Sequence, residues 1–276
     1  MFSLTLVTMP TRNDTLGTQL TVMSYNIRYA NPDDGRNAWS QRKEAVSHLV
    51  QFYGADLIGL QEVLYEQLTY LEDELTGYGR IGVGRDDGKQ SGEYSPIFYA
   101  QEKLALLDQG TFWLSDTPER PSVGWDAALE RIVTWGKFQH QASGDTLFFL
   151  NTHFDHRGEK ARVESARLIQ RWIKQQAAGH PIIVTGDFNA DPTTEPYRVM
   201  TESEQLSDAM KISELPSVGP QRTFSGFAVT PELPGERIDY IFVSPDIRVL
   251  RHQVVSSHRA GYYPSDHLPV FAELRW

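Results

Sequence analysis

Thr146–His156 reads TLFFLNTHFDH, and Pro181–Asn189 reads PIIVTGDFN. Each is a short apolar run that breaks into amide, imidazole and carboxylate groups. A brief apolar run bounded by turn-forming residues predicts a buried strand. Between them, Gly158–Ala178 carries Val163, Ala166, Ile169, Trp172 and Ile173 along one stripe, which predicts an amphipathic helix. Polar groups where buried strands surface mark the place at which α/β proteins build their sites.

The same alternation extends to both sides. Leu20–Asn26 (LTVMSYN) predicts a strand, and Trp39–Tyr53 predicts a helix with Val46, Leu49, Val50 and Tyr53 inward, closed by Gly54. Asp56–Gln61 is a short buried strand, and Val63–Leu75 a helix stopped by Gly77. Strands are then expected at Tyr78–Val83, Pro96–Tyr99, Leu104–Leu107, Thr111–Leu114 and Ile132–Phe138. The proline-rich segment Asp191–Gly235 is too long for a plain connector, so it is functional or partly helical. Ile238–Val243, Ile247–Val255 and Val270–Leu274 close the chain as strands. Strands outnumber helices, and the helices are long enough to cover sheet faces. The expectation is α/β: two packed sheets flanked by helices. Residues 1–19 read as a loose leader and 20–276 as one domain, with no internal sequence repeat.

Composition narrows the chemistry. The 276 residues include 26 Lys and Arg against 36 Asp and Glu, a net charge of −10, which disfavours a sequence-independent nucleic-acid binder. With no cysteine there is no disulfide framework, thiolate metal site or cysteine nucleophile. No apolar run reaches the roughly 18 residues a membrane span needs. The first residues lack a basic region and a continuous apolar stretch, so a cytoplasmic location and no membrane partner are expected. No G-x-S-x-G occurs, and GVGRDDGKQSGEY is not a P-loop.

Taken singly, the polar strand ends have bland explanations. Asn26 could be a turn former, Glu62 a helix-start charge and GDFN a turn. Asp239 inside IDYIF is more telling, because burying a carboxylate is costly unless it is partnered. Together, Asn26, Glu62, His153, Asp187, Asn189, Asp239, Asp266 and His267 have the make-up of a hard-metal phosphate site: oxygen ligands, imidazoles and no sulfur.

The ordered set SYN, QEV, NTHFDH, GDFN, RIDYIFV and SDH, from Leu20 to Trp276, resembles the endonuclease/exonuclease/phosphatase (DNase I-like) superfamily. The resemblance implies a four-layer α/β/β/α sandwich of two packed mixed sheets. It implies a divalent cation, Mg2+ with Mn2+ as a substitute, and hydrolysis of phosphate esters. By it, Glu62 with Asn26 and Asp266 would serve the metal. Asp187 would position or deprotonate the attacking water, with Asn189 beside it. His267, oriented by Asp239, and His153, partnered by Glu93, would face the phosphate; the base is Asp187 or a histidine. SYNIRY, GEYSPIFY and TFWLSDTPERPSVGWD are similar to a bacterial subgroup.

The physical case is that phosphate esters repel a nucleophile, a cation offsets that charge, and imidazoles can donate to the developing charge. Arg131 suits phosphate contact or a surface salt bridge, and His156 lines the site or caps its turn. Trp39, Trp113, Trp125 and Trp135 are expected in the core, with a cleft lining as the alternative. The favoured substrate is a small phosphorylated molecule. A DNA or RNA nuclease is the alternative, and a non-catalytic binding protein on the same fold the second.

Overall fold

In a computed structural model, described for residues 17–230 and 232–276, twelve strands form two six-stranded sheets. The first sheet holds β1 (Gln19–Asn26), β2 (Leu57–Gln61), β3 (Tyr78–Ile81), β4 (Ile97–Ala100), β11 (Arg248–Val254) and β12 (Val270–Arg275), in the order β11-β12-β1-β2-β4-β3. The second holds β5 (Leu104–Trp113), β6 (Ile132–His140), β7 (Thr146–His153), β8 (Ile182–Asp187), β9 (Ser207–Asp208) and β10 (Asp239–Val243), in the order β5-β6-β7-β8-β10-β9. Parallel neighbours need a crossover. α1 (Trp39–Tyr53) supplies it between β1 and β2, and α3 (Glu159–Gln176) between β7 and β8. The remaining pairs are antiparallel, so both sheets are mixed.

Side-chain alternation sorts three apolar layers. Leu20 and Val22 of β1 meet Leu147, Phe149, Ile183 and Ile241 between the sheets. Met23 and Tyr25 point the other way, onto Val46 and Leu49 of α1 and Leu68 and Leu71 of α2 (Tyr65–Glu74). Phe148, Leu150, Val184 and Phe242 pack outward onto Ala166, Ile169 and Ile173 of α3. The result is the expected four-layer α/β/β/α sandwich, apolar on both faces of each sheet.

Several expected elements shift. Leu104–Leu107 and Thr111–Leu114 are one strand, β5, whose pairing with β6 slips between Leu106 and Asp108. The polar Asp108-Gln109-Gly110 stretch that looked like a break faces outward. The strand expected at Tyr78–Val83 ends at Ile81, and the helix expected from Val63 starts at Tyr65. The Asp191–Gly235 segment contains α4 (Glu195–Thr201), β9 and α5 (Ala209–Ile212). The leader expected over residues 1–19 lies outside the described residues as far as 16, and Gln19 already begins β1. No helix among the described residues is long and apolar enough to cross a membrane.

Candidate active site

The inner face of each central strand grows more polar toward one end of the sandwich. Along β7 the inward residues run Leu147, Phe149, Asn151, His153; along β8, Ile183, Thr185, Asp187; along β1, Leu20, Val22, Ser24, Asn26. β10 runs the opposite way and starts at the polar end, so Asp239 pairs with Asp187 while His153 pairs with Asp187 from the other side. Strand order and register alone bring His153, Asp187 and Asp239 abreast.

Over them opens a hollow of about 590 Å³. Nine of the eleven residues singled out from sequence line it: Glu62, Glu93, Arg131, His153, His156, Asp187, Asn189, Asp266 and His267. Asn26 and Asp239 stand just behind. Asn26 Nδ2 donates to Glu62 Oε1 at 3.1 Å and to Asp187 Oδ2 at 3.0 Å, joining the two sheets. Tyr29 N–H donates to Glu62 Oε2 at 3.1 Å. Glu62, Arg28 and Asn189 adopt positive φ of 58°, 59° and 46°. Such backbone is costly for residues other than glycine and recurs at functional sites.

The histidines differ in charge. Burial opposes protonation of His267, but Asp239 and Asp187 outweigh it and hold its pKa well above the usual value. Its Nδ1 donates to Asp239 Oδ2 at 2.9 Å, and its Nε2 lies 3.7 Å from Asp187 Oδ2. His153 is pushed well below the usual range by burial and by the nearby cations Arg131 and Arg85. That ring is therefore neutral. Asn189 Nδ2 lies 3.1 Å from its Nε2, so Nε2 accepts and the proton sits on Nδ1. Burial, with Asp239 adding and His267 opposing, raises Asp187 to about 7.

The Glu93 partnership expected for His153 is loose, with Oε2 3.9 Å from Nδ1. Both Glu93 oxygens bind the buried Arg85 guanidinium instead, at 2.8 and 3.0 Å. Arg131 is buried rather than a surface residue. Its Nε is 3.4 Å from Asp155 Oδ2, and its Nη2 is 3.0 Å from His156 Nδ1. No tryptophan lines the hollow. Trp39 and Trp113 are buried, while Trp135 packs on Trp172 and Phe148.

Sequence reasoning missed Arg28, Arg85 and Phe224. Arg28 lies 3.9 Å from both Glu62 and Asp266 and is bonded to Asp34 at 3.0 Å. Phe224 sets its ring against His267, with centroids 5.1 Å apart. The adjacency of Arg28 to SYN was the one available signal; nothing local marks Phe224.

Two carboxylate clusters have the donors for a cation. Glu62 and Asp266 offer only oxygens, and burial together with the Glu62 charge raises Asp266 against the opposing pull of His267, Arg28 and Arg42. Asp187, Asp239 and His267 each bring one ligand atom within 4.8 Å of the others, a spacing a metal ion could accept. The oxygen-only pair fits a divalent ion directly, whereas the second set fits one only if His267 gives up a proton.

The sequence pattern of the Endonuclease/Exonuclease/phosphatase family matches residues 23–267. The chain belongs to that family. Members of the Endonuclease/Exonuclease/phosphatase family are phosphoric ester hydrolases. A family structure from Bacteroides vulgatus is 42% identical with a TM-score of 0.90, over 94% of this chain and 99% of that one. A mannosyl-6-phosphatase of Bacteroides thetaiotaomicron is 41% identical with a TM-score of 0.86, over 93% of this chain and all of that one (100%). An uncharacterized protein of Acanthamoeba polyphaga mimivirus is 30% identical over 161 residues, 55% of this chain. The match spans 60% of that viral relative's length.

Proposed function

We propose that the chain is a divalent-cation-dependent phosphatase that acts on a small phosphorylated molecule, with sugar phosphates the favoured class. The observation that carries this is the hollow itself: about 590 Å³, lined by the cationic His267 and by the Glu62 and Asp266 carboxylates. That volume suits a small ligand. The 41% identity to a mannosyl-6-phosphatase supports the sugar-phosphate class, and the net charge of −10 disfavours a polyanion.

In this reading Glu62 and Asp266 hold the cation, with Asn26 fixing Glu62. Of the two clusters this one fits better, because a cationic His267 bonded to Asp239 has no lone pair to give. When bound, Mg2+ or Mn2+ supplies Lewis-acid polarisation and offsets phosphate charge. Asp187 and Asn189 orient the attacking water, and Asp187 Oδ2 takes its proton. His267 Nε2–H donates to a phosphoryl oxygen as negative charge builds there, while Asp239 holds the ring's charge and direction. His153, neutral, lines the same wall through Nε2. Arg131, packed against His156, adds positive charge to the lining of the hollow.

The test is phosphate release from sugar phosphates, inositol phosphates, nucleotides and DNA, with and without EDTA. Release from sugar phosphates, abolished by EDTA and restored by Mg2+ or Mn2+, is the expected result. Efficient, salt-sensitive DNA cleavage would replace the small-substrate reading with a nuclease. Calorimetry adds an activity-independent arm: Glu62→Gln should weaken Mn2+ binding by about 10–100-fold. Unchanged affinity together with no hydrolysis of any ester would favour a binding protein on this fold.

A further inference from the structure

Beneath the floor of the hollow lies a second polar layer. Residues two apart on a strand share a face. Two behind Asn26, His153 and Asp187 stand Ser24, Asn151 and Thr185, and Gln61 adjoins Glu62; all four are fully buried. Asn151 fills every hydrogen-bonding position of its amide. Its Nδ2 donates across the gap between the sheets to Leu60 O at 2.7 Å and Pro96 O at 2.9 Å. Its Oδ1 accepts from Gln61 Nε2 at 2.7 Å and from Thr185 Oγ1 at 3.0 Å. Leu60 and Gln61 are in β2, and Pro96 directly precedes β4, so three of the four partners belong to the opposite sheet. The backbone of β2 must come close for this. A Cβ at Gly59 would sit 2.2 Å from Thr185 Oγ1 and 2.5 Å from Asn151 Oδ1, so only glycine fits.

Apart from the Asn26–Asp187 bond in the layer above, the inter-sheet contact near it is apolar, with Val22, Leu57, Phe149 and Ile183. Apolar contact has no preferred direction and tolerates small slides. The four bonds of Asn151 do not, since an offset between the sheets leaves its buried donor or acceptor unpaired. The candidate site is split across that gap: the first sheet carries Asn26 and Glu62, the second His153 and Asp187.

We propose that Asn151 is a positioning residue for phosphate-ester hydrolysis, a latch that fixes the offset between the sheets and so aligns the Glu62 side of the site with His153 and Asp187. Its catalytic consequence rests on the function proposed above; the latch itself rests on the hydrogen bonds. A misplacement of about 1 Å between reacting groups costs on the order of 10²-fold in rate.

The probe is p-nitrophenyl phosphate with Mn2+. Asn151→Leu should lower kcat by about 10²-fold and Thr185→Val by about 3–10-fold, with KM within about threefold of the parent's. The double variant should be no worse than Asn151→Leu, because both act through one network. Asn151→Asp, which when protonated keeps one donor, should recover part of the loss. Nitrogen-15 NMR should show the ring signals of His153 and His267 shifted in both single variants and that of His252, on β11, unmoved. A drop in thermal midpoint with parental kcat and unshifted rings would reduce Asn151 to a structural role and overturn the proposal. If Asn151→Leu does not fold, Thr185→Val decides by the same criteria. A parent inert on the probe would count against the proposed function, while the ring signals would still test the latch.

Discussion

His267 shows how little of a residue's chemistry resides in the residue. A buried imidazole ordinarily loses its proton, and His153, which faces the same Asp187 oxygen, does so. His267 keeps it because two carboxylates, Asp239 and Asp187, face it from neighbouring strands. Asp239 bonds Nδ1 and leaves Nε2–H free to point into the hollow. Asp239→Asn should therefore lower kcat by about 10²–10⁴-fold with the fold intact, measured by steady-state kinetics beside circular dichroism. A variant with parental kcat would remove His267 from the proposed chemistry. The types and order of these residues were legible in the sequence. Their charge states were not, since a desolvated imidazole goes neutral or cationic according to neighbours far along the chain. Arg131 makes the same point: its sequence allowed a surface salt bridge, yet the fold buries it beside Asp155 and His156.

At the scale of elements, apolar periodicity located the helices and the central strands, because burial of one stripe or of both faces leaves a local imprint. Ends and breaks were less legible. β5 reads as two strands because its middle faces solvent. The start of α3 has no side-chain cap of its own at Gly158. It is capped from a distant loop: Asp126 Oδ1 accepts from Ala161 N–H at 2.6 Å, and Oδ2 from Lys160 N–H at 3.3 Å. A carboxylate there also meets the positive end of the helix dipole. Asp126→Ala should cost about 1 kcal/mol in urea denaturation. An unchanged unfolding midpoint would mean that the cap contributes nothing in solution. α3 spans the crossover between His153 and Asp187, so this distant cap supports the segment that joins them.

For the molecule as a whole, acid sensitivity has a source away from the site. His252 on β11 is buried, its Nδ1 2.7 Å from Ser217 Oγ, and burial holds its pKa down at about 4. The fold thus keeps it neutral, whereas the unfolded chain protonates it near 6.5. Its contribution to stability is present above about pH 6.5 and is lost as pH falls toward 4, by up to about 3 kcal/mol. His252→Gln should flatten that part of the stability–pH curve, measured by urea unfolding from pH 7 to 4. An equally steep fall in the variant would assign the acid loss to other groups.

The sequence by itself determined which residue types could do the chemistry, and that they stand at the ends of strands buried on both faces. Those facts follow from local pattern: an apolar run is a strand wherever it pairs, and oxygen and imidazole donors without sulfur favour a hard cation. Only the tertiary structure decided that two sheets meet with Asn26 bonded to Asp187 across the gap, that Glu93 belongs to Arg85 more closely than to His153, and that one histidine is charged and the other neutral. Sheet-to-sheet offset, burial and the distance between charges are properties of contacts between segments, from eight residues apart for Arg85 and Glu93 to 161 for Asn26 and Asp187. Hydrogen bonding and ionisation are set by those distances and by burial, which the order of residues along the chain does not state.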